Sequence, residues 1–391
     1  MHGKKREEYK AKMRDPKIAT VLSQKAQKWH VLMKELGDRR TNKDPSETTL
    51  ALLGKALLVN PDPMNLWNHR RELILDELEL QQDNEDRTTK EASIVHRERA
   101  LTTTALKNNP KAYGAWFHRK WILQKFQPPS DILQEELGLT STFLKADERN
   151  FHCWNYRRFV VACLGNSWDG EWTVVGLKQE ESNTNNNKSL MGQQVVEPTT
   201  NESSKPATTT IPAHLIASEF EFTTDKITQN FSNFSAFHYR SQLLDLAHAT
   251  AAVDSLGNDE FVDAMEERLD QEFQLVEDAV CTEPDDQTCW WYHSILLDLI
   301  QLIDNNNSKE DDDKLMDRFT DRLHEQADLF RELLEDSPNS KWVILGLFKA
   351  LQILQSYNDN DDEEHDERET LLEKLKEIDP YRANRYEYLK H

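Results

Sequence analysis

Apolar side chains return every three or four residues along five stretches: Thr49 to Val59, Ile94 to Leu106, Ile132 to Leu144, His214 to Ile227 and Phe261 to Val280. That is the period of a helix with one buried face. A second stretch follows each, centred on a bulky aromatic: Trp67, Trp116, Trp154, Phe237 or Trp290. Two residues beyond the aromatic come His69, His118, Tyr156, Tyr239 and Tyr292; three beyond come Arg70, Arg119, Arg157, Arg240 and then His293. Seven beyond lies an aliphatic: Ile74, Leu123, Val161, Leu244 or Leu297. Offsets of zero, three and seven share one helix face, so each aromatic predicts a packing stripe with a polar edge. Asn60-Pro61 and Asn109-Pro110 precede two of these stretches. They predict helix starts with Asn as cap and Pro in the first turn. A hairpin of two such helices cannot bury its apolar face alone, and stacked hairpins make an all-α solenoid.

The aromatics are 49, 38, 83 and 53 residues apart. The shortest spacing is near the unit length. The longest gap carries a polar run at about 178–210 that predicts a disordered surface insertion. Two acidic runs, Asp304 to Lys314 and Asn358 to Glu367, read as solvated loops. The expected organisation is an N-terminal helical segment at 1–46, five repeats at 47–301, and C-terminal helices at 315–391. Those last helices are expected at Phe319 to Leu334, Lys341 to Leu354 and Thr370 to Ile378.

Composition supports helix: only 11 Gly and 13 Pro occur in 391 residues. With 48 Lys and Arg against 70 Asp and Glu, the net charge of −22 argues against nucleic acid as a partner. No apolar run reaches the roughly 18 residues of a membrane span. The N-terminus has no apolar core of a secretory signal. The four cysteines, with no CxxC among them, suit a reducing, cytoplasmic setting.

The Asn-Pro-x5-Trp-x2-Arg unit in five copies resembles the repeat of the protein prenyltransferase alpha subunits. The runs ADERNFHCWNYRRFV (Ala146 to Val160) and ITQNFSNFSAFHYRSQLL (Ile227 to Leu244) are similar to the alpha subunits of the type II, Rab-modifying geranylgeranyltransferases. The lack of leucine-rich or sandwich modules suits the short, fungal-like form. Two positions depart from the pattern: Phe237 replaces Trp in the fourth unit, and His293 replaces Arg in the fifth. The resemblance implies a right-handed, crescent-shaped α-α superhelix held against a beta subunit as an obligate heterodimer. It implies zinc on that beta subunit, geranylgeranyl diphosphate as co-substrate, and Rab GTPases presented by a Rab escort protein as acceptors. It also implies roles for Lys111 at the diphosphate and for Tyr113, Asn150 and His152 around it. His2 is implied as a ligand able to reach the partner's zinc.

Chemistry limits what the chain itself has to supply. Negative charge grows on a diphosphate leaving group as its C–O bond breaks, so fixed cations at that point lower the barrier. Five residues before each aromatic stand Asp62, Lys111, Arg149, Ser232 and Asp285; only Lys111 and Arg149 are cationic. On spacing alone, Lys111 reads better as a solvated first-turn residue; the resemblance reverses that order. The repeated Arg after each aromatic is expected to bond neighbouring helix ends or the beta subunit. His152-Cys153 has no third ligand at metal-binding spacing, so no metal site is expected in this chain beyond His2. Two other readings stand beside this one: the alpha subunit shared by farnesyltransferase and the type I geranylgeranyltransferase, and a non-catalytic α-solenoid scaffold. A tetratricopeptide array would show a unit near 34 residues.

Overall fold

The computed structural model describes residues 16–79, 84–170, 211–253, 258–306, 313–357 and 362–390. Among them the elements are helices, with short 3₁₀ turns near the end of the chain. None of the described helices is long and apolar enough to cross a membrane. The region at 178–210 lies outside the described residues, as does His2.

In chain order the helices are α1 (Pro16–Thr41), α2 (Glu47–Val59), α3 (Met64–Glu79), α4 (Asn84–Asn108), α5 (Tyr113–Phe126), α6 (Ser130–Ala146) and α7 (Phe151–Leu164). They continue as α8 (Ala213–Gln229), α9 (Phe234–Val253), α10 (Asn258–Thr282), α11 (Gln287–Asn306), α12 (Asp313–Asp336), α13 (Lys341–Tyr357), α14 (Asp362–Ile378) and α15 (Ala383–Glu387). Contacts divide the chain into two compact units. The first holds Met1–Leu144 and Asn150–Val160; the second holds Lys145–Arg149 and Val161–His391.

Within the first unit, α2 packs on α3 and α4 on α5; first helices also pack on first helices (α2 on α4) and second on second (α3 on α5). The second unit repeats this two-layer scheme: α8 packs on α9, α10 on α11 and α12 on α13. There α9, α11 and α13 form one layer, and α10 packs on α12 in the other. The predicted aromatics fill the interior, with Trp67 and Phe237 fully buried and Trp116, Trp154 and Trp290 nearly so.

Three expectations need correction. The Asn-Pro pairs do not start helices: Asn60 closes α2, its N–H reaching the Ala56 carbonyl, and α3 begins only at Met64. The Asn60 side chain instead accepts from the Asp62 N–H, and Asn109 does the same for Lys111, so each caps a turn. Pro61 and Pro110 offer their carbonyls to the indole N–H of Trp67 and Trp116, both at 2.8 Å, and Pro284 does so for Trp290 at 2.7 Å. Second, the acidic run near 362 is not a loop, because α14 starts at Asp362. Acidic residues suit a first turn, where they face the positive end of the helix dipole. The run near 304 is likewise helical at both ends, up to Asn306 and again from Asp313.

Third, Arg70, Arg119 and Arg240 each bind a buried carboxylate of the next hairpin, which the expectation of helix-end bonds did not include. Arg70 grips Glu98 through two bonds of 2.6 and 2.7 Å, and its third nitrogen donates to the Leu50 carbonyl at 2.7 Å. Arg119 holds Glu136 at 2.6 and 2.7 Å, and in the second unit Arg240 holds Glu272 at 2.5 and 2.8 Å. Two residues beyond the core aromatic, a Tyr reaches back to the carboxylate of its own hairpin: Tyr156 to Glu136 at 2.8 Å, Tyr239 to Glu219 at 2.8 Å, and Tyr292 to Glu272 at 2.7 Å. His118 does this for Glu98, at 3.1 Å. Each of these carboxylates is almost wholly buried, and Glu98, Glu136 and Glu272 are satisfied from two or more sides. Losing one partner of such a pair costs about 3–5 kcal/mol, because a charge is left stranded.

Candidate functional site

Two neighbouring turns in the first unit bring together four of the sequence-predicted residues. The turn before α5 carries Lys111, whose backbone N–H donates to Asn109 Oδ1 at 3.2 Å. Its side chain is exposed. Tyr113, the first residue of α5, is 58% exposed, so its phenol faces solvent rather than the core. Asn150 closes the turn before α7, and His152 is the second residue of that helix. The His152 ring lies 6.1 Å from that of Tyr113, and Phe151 packs against His152 at 3.9 Å. Burial, and then the ammonium of Lys111, pull the His152 pKa below its ordinary value. The imidazole is therefore neutral at pH 7, and the Lys111 charge acts close to it.

Asn150 is placed differently. It is 1% exposed, its Nδ2 donates to the Pro110 carbonyl at 3.0 Å, and its Oδ1 accepts from the Cys153 N–H at 3.3 Å. It thus caps α7 and clamps the turn that presents Lys111. Arg149 belongs to the second unit, where it is exposed and donates to the Ser232 carbonyl at 3.1 Å.

The sequence reading missed an exposed aromatic surface beside this cluster. Phe117, one turn beyond Tyr113, is 41% exposed and stacks on it, 5.9 Å apart and nearly parallel. The Arg71 guanidinium covers the Phe117 ring at 4.7 Å. In the second unit, Phe234 opens α9 in the same register and is also exposed, packing on Trp291 at 4.7 Å. The available signal was the position three residues before each core aromatic, which reads Tyr113, Phe151 and Phe234 in the middle three units.

Among the described residues no group of three or more His, Cys, Asp or Glu is arranged to hold an ion. Cys289 is buried, and burial with the Asp286 carboxylate pushes its thiol up to about 12, far from a thiolate at neutral pH.

Parts of the chain are similar to known proteins. The protein prenyltransferase alpha subunit repeat matches residues 95–126, 133–164, 216–247 and 269–300. These intervals cover most of the hairpins α4/α5, α6/α7, α8/α9 and α10/α11. The geranylgeranyl transferase type-2 subunit alpha of Bos taurus is 32% identical over 279 residues, which cover 70% of this chain and 38% of that protein. The chain therefore spans well under half the length of its mammalian relatives. The Candida albicans protein of the same name is 25% identical over 379 residues, covering 93% of this chain and 90% of the relative. Among solved structures, Candida albicans protein geranylgeranyltransferase-I complexed with GGPP shares the fold, with a TM-score of 0.53 at 16% identity over 93% of this chain and 89% of that one.

Proposed function

Because the chain belongs to the protein prenyltransferase alpha subunit family, we propose that it is the alpha subunit of a type-2 geranylgeranyltransferase. With a beta subunit it transfers geranylgeranyl from geranylgeranyl diphosphate to C-terminal cysteines of Rab GTPases brought by a Rab escort protein. The likeness to the Candida type-2 alpha subunit carries this reading, because it runs through 93% of this chain and 90% of that one. The work is placed in the cytoplasm, where Rab proteins and reduced cysteines occur together.

Zinc, which in this family makes the acceptor thiol a thiolate, is assigned to the beta subunit. This chain's own part is at the leaving group. As C1–O breaks, the diphosphate gains charge, and the Lys111 ammonium answers it. Tyr113 offers a phenolic O–H from the start of α5, and the neutral His152 ring packs beside it. Asn150 acts as a positioning residue, because its amide holds the Pro110 carbonyl next to Lys111. Arg149, the other cation that the sequence offers for the diphosphate, donates from its guanidinium to the Ser232 carbonyl within the second unit.

The test is reconstitution. Co-expressed with a type-2 beta subunit, the chain should prenylate Rab in the presence of escort protein and leave CaaX peptides unmodified. Prenylation of CaaX peptides without Rab or escort protein would instead mark it as the alpha subunit shared by the farnesyl and type I enzymes. No transfer with either partner would leave a scaffold.

A further inference from the structure

Away from the Lys111 cluster, the second unit contains an open cleft of about 530 Å³ between α11, α13 and α14. Ser294 and Asp298 of α11, Lys349, Gln352 and Gln355 of α13, and Arg368 of α14 line it. Eight polar residues line it in all, and polar groups drawn out of water need partners, so the cleft calls for an account.

Several of these groups lack what they would need in a purely structural role. Lys349 donates to Ser294 Oγ at 2.8 Å, and Asp298 acts on it without closing an ion pair. Arg368 lies over the Phe348 ring at 5.2 Å, which holds the guanidinium plane and leaves its edges for acceptors. Its Nε is buried without a partner, and so is Gln355 Oε1, although Gln355 Nε2 faces His365 Nδ1 at 3.3 Å. Leaving such groups unsatisfied costs about 1–3 kcal/mol each. The unmet needs have opposite sense. Arg368 and Lys349 call for acceptors, preferably anionic, whereas Gln355 Oε1 and Asp298 call for donors. Burial lowers the Lys349 pKa and raises that of Asp298, so each gains from a counter-charge supplied by a ligand.

We propose that this cleft binds a small molecule with an oxyanion at one end and an N–H or O–H donor at the other. The oxyanion faces Arg368 and Lys349; the donor faces Gln355 Oε1 and Asp298. The volume falls within the range of about 300–1,000 Å³ typical of small-molecule sites. Free amino acids and sugar monophosphates both carry this pairing of groups. Acetate, an oxyanion without a donor, serves as the control. The site does not depend on the prenyltransferase reading.

Titration calorimetry and saturation-transfer NMR on the full chain, by itself and together with a beta subunit, would decide. The probes are the twenty common amino acids, a set of pentose and hexose monophosphates, and acetate. At least one amino acid or sugar phosphate should bind saturably, with acetate at least about tenfold weaker, and which arm binds identifies the source. Arg368→Gln and Asp298→Asn should each weaken that ligand about 10–100-fold, the range expected for one charge-assisted hydrogen bond. Melting curves should show both variants folded. Absence of saturable binding from every amino acid and sugar phosphate would overturn the proposal. So would unchanged affinity in the two variants, or acetate binding as tightly as the best probe.

Discussion

At the fifth aromatic unit one pair of substitutions explains an apparent lapse in the repeat. His293 stands where the other units have Arg, and Gln326 stands where they have the buried Glu; the two meet at 2.9 Å. Both charges have gone together, so neither residue strands a partner. Burial holds the His293 pKa down to about 4, and that of His118 also down to about 4. His118 accepts from Arg71 at Nδ1 and therefore donates to Glu98 from Nε2, as the neutral ring must. Depressed histidines carry stability that is complete above the unfolded pKa of about 6.5 and is lost as pH falls towards 4. The unfolding free energy read from urea titrations should thus drop between pH 7 and pH 5, by about 1–2 kcal/mol for each of the two. His293→Gln should remove its share of that slope. Restoring the ionic pair gives a sharper check. His293→Arg or Gln326→Glu alone should each cost about 3–5 kcal/mol, as a buried charge with no counter-charge does. The double variant should recover at least half of the summed loss in a denaturation cycle; simple additivity would mean that the two sites are not coupled. At the candidate site, Lys111→Ala should slow single-turnover transfer about 10–1000-fold with far less change in lipid affinity, if its ammonium acts on the developing diphosphate charge. Rapid-quench transfer beside equilibrium lipid binding separates the two. Equal losses in both would make Lys111 a ground-state contact.

At the scale of the helix pair, one number stays constant while the chain spacing does not. The Arg of each second helix lies 20 residues after the carbonyl it binds: Leu50, Arg99, Leu137 and Phe220. Likewise His118, Tyr156, Tyr239 and Tyr292 lie 20 residues after their Glu. Unequal spacing between aromatics is therefore taken up between hairpins, never within one. The aromatic stripe and the helix pairs were legible in the sequence because burial imposes a period. The buried glutamates were not, since a Glu on a polar-looking helix face gives no sign that an Arg will reach it from another hairpin. The α12/α13 pair was read only as terminal helices, because Ile344 and Leu347 stand where the other units carry the aromatic and the Arg. Its Ser337-Pro338 and Gln326 nevertheless stand in the register of the Asn-Pro pair and the Glu. Close helix contact has its own signature at Gly114 on α5. A Cβ there would lie 2.7 Å from Trp67 Cδ1 and 3.1 Å from the Pro61 carbonyl, both fixed by the buried indole. Gly114→Ala should cost about 1–3 kcal/mol by overpacking, even though Ala suits a helix better. A melting temperature equal to or above that of the parent would show that α3 and α5 can separate freely.

Taken whole, the molecule hides its repeat aromatics but leaves another set in solvent. Tyr113 and Phe117 on one unit, and Phe234 on the other, are large apolar rings that the core does not need. Exposed single apolar residues are ordinary, whereas stacked aromatics beside an arginine are a composition enriched at binding surfaces. Phe117 has both features, with Tyr113 parallel to it and Arg71 over its face. A net charge of −22 keeps the rest of the chain soluble without making that surface less apolar. If these rings contact the beta subunit, they are anchors whose removal costs binding and not folding. Tyr113→Ser with Phe117→Ser should then leave helicity and melting of the alpha chain within about 1 kcal/mol of the parent, as exposed sites do. Affinity for the beta subunit should fall at least about tenfold, because truncating an interface aromatic removes 1–2 kcal/mol or more. Analytical ultracentrifugation of the mixed subunits reads the affinity, and circular dichroism reads the fold. Unchanged association would move the contact to another face, and loss of helicity would make the pair structural. Catalysis offers a third readout. Tyr113 borders Lys111 while Phe117 lies a turn further on, so Phe117→Ser alone should weaken assembly but spare single-turnover transfer once saturating beta subunit is supplied.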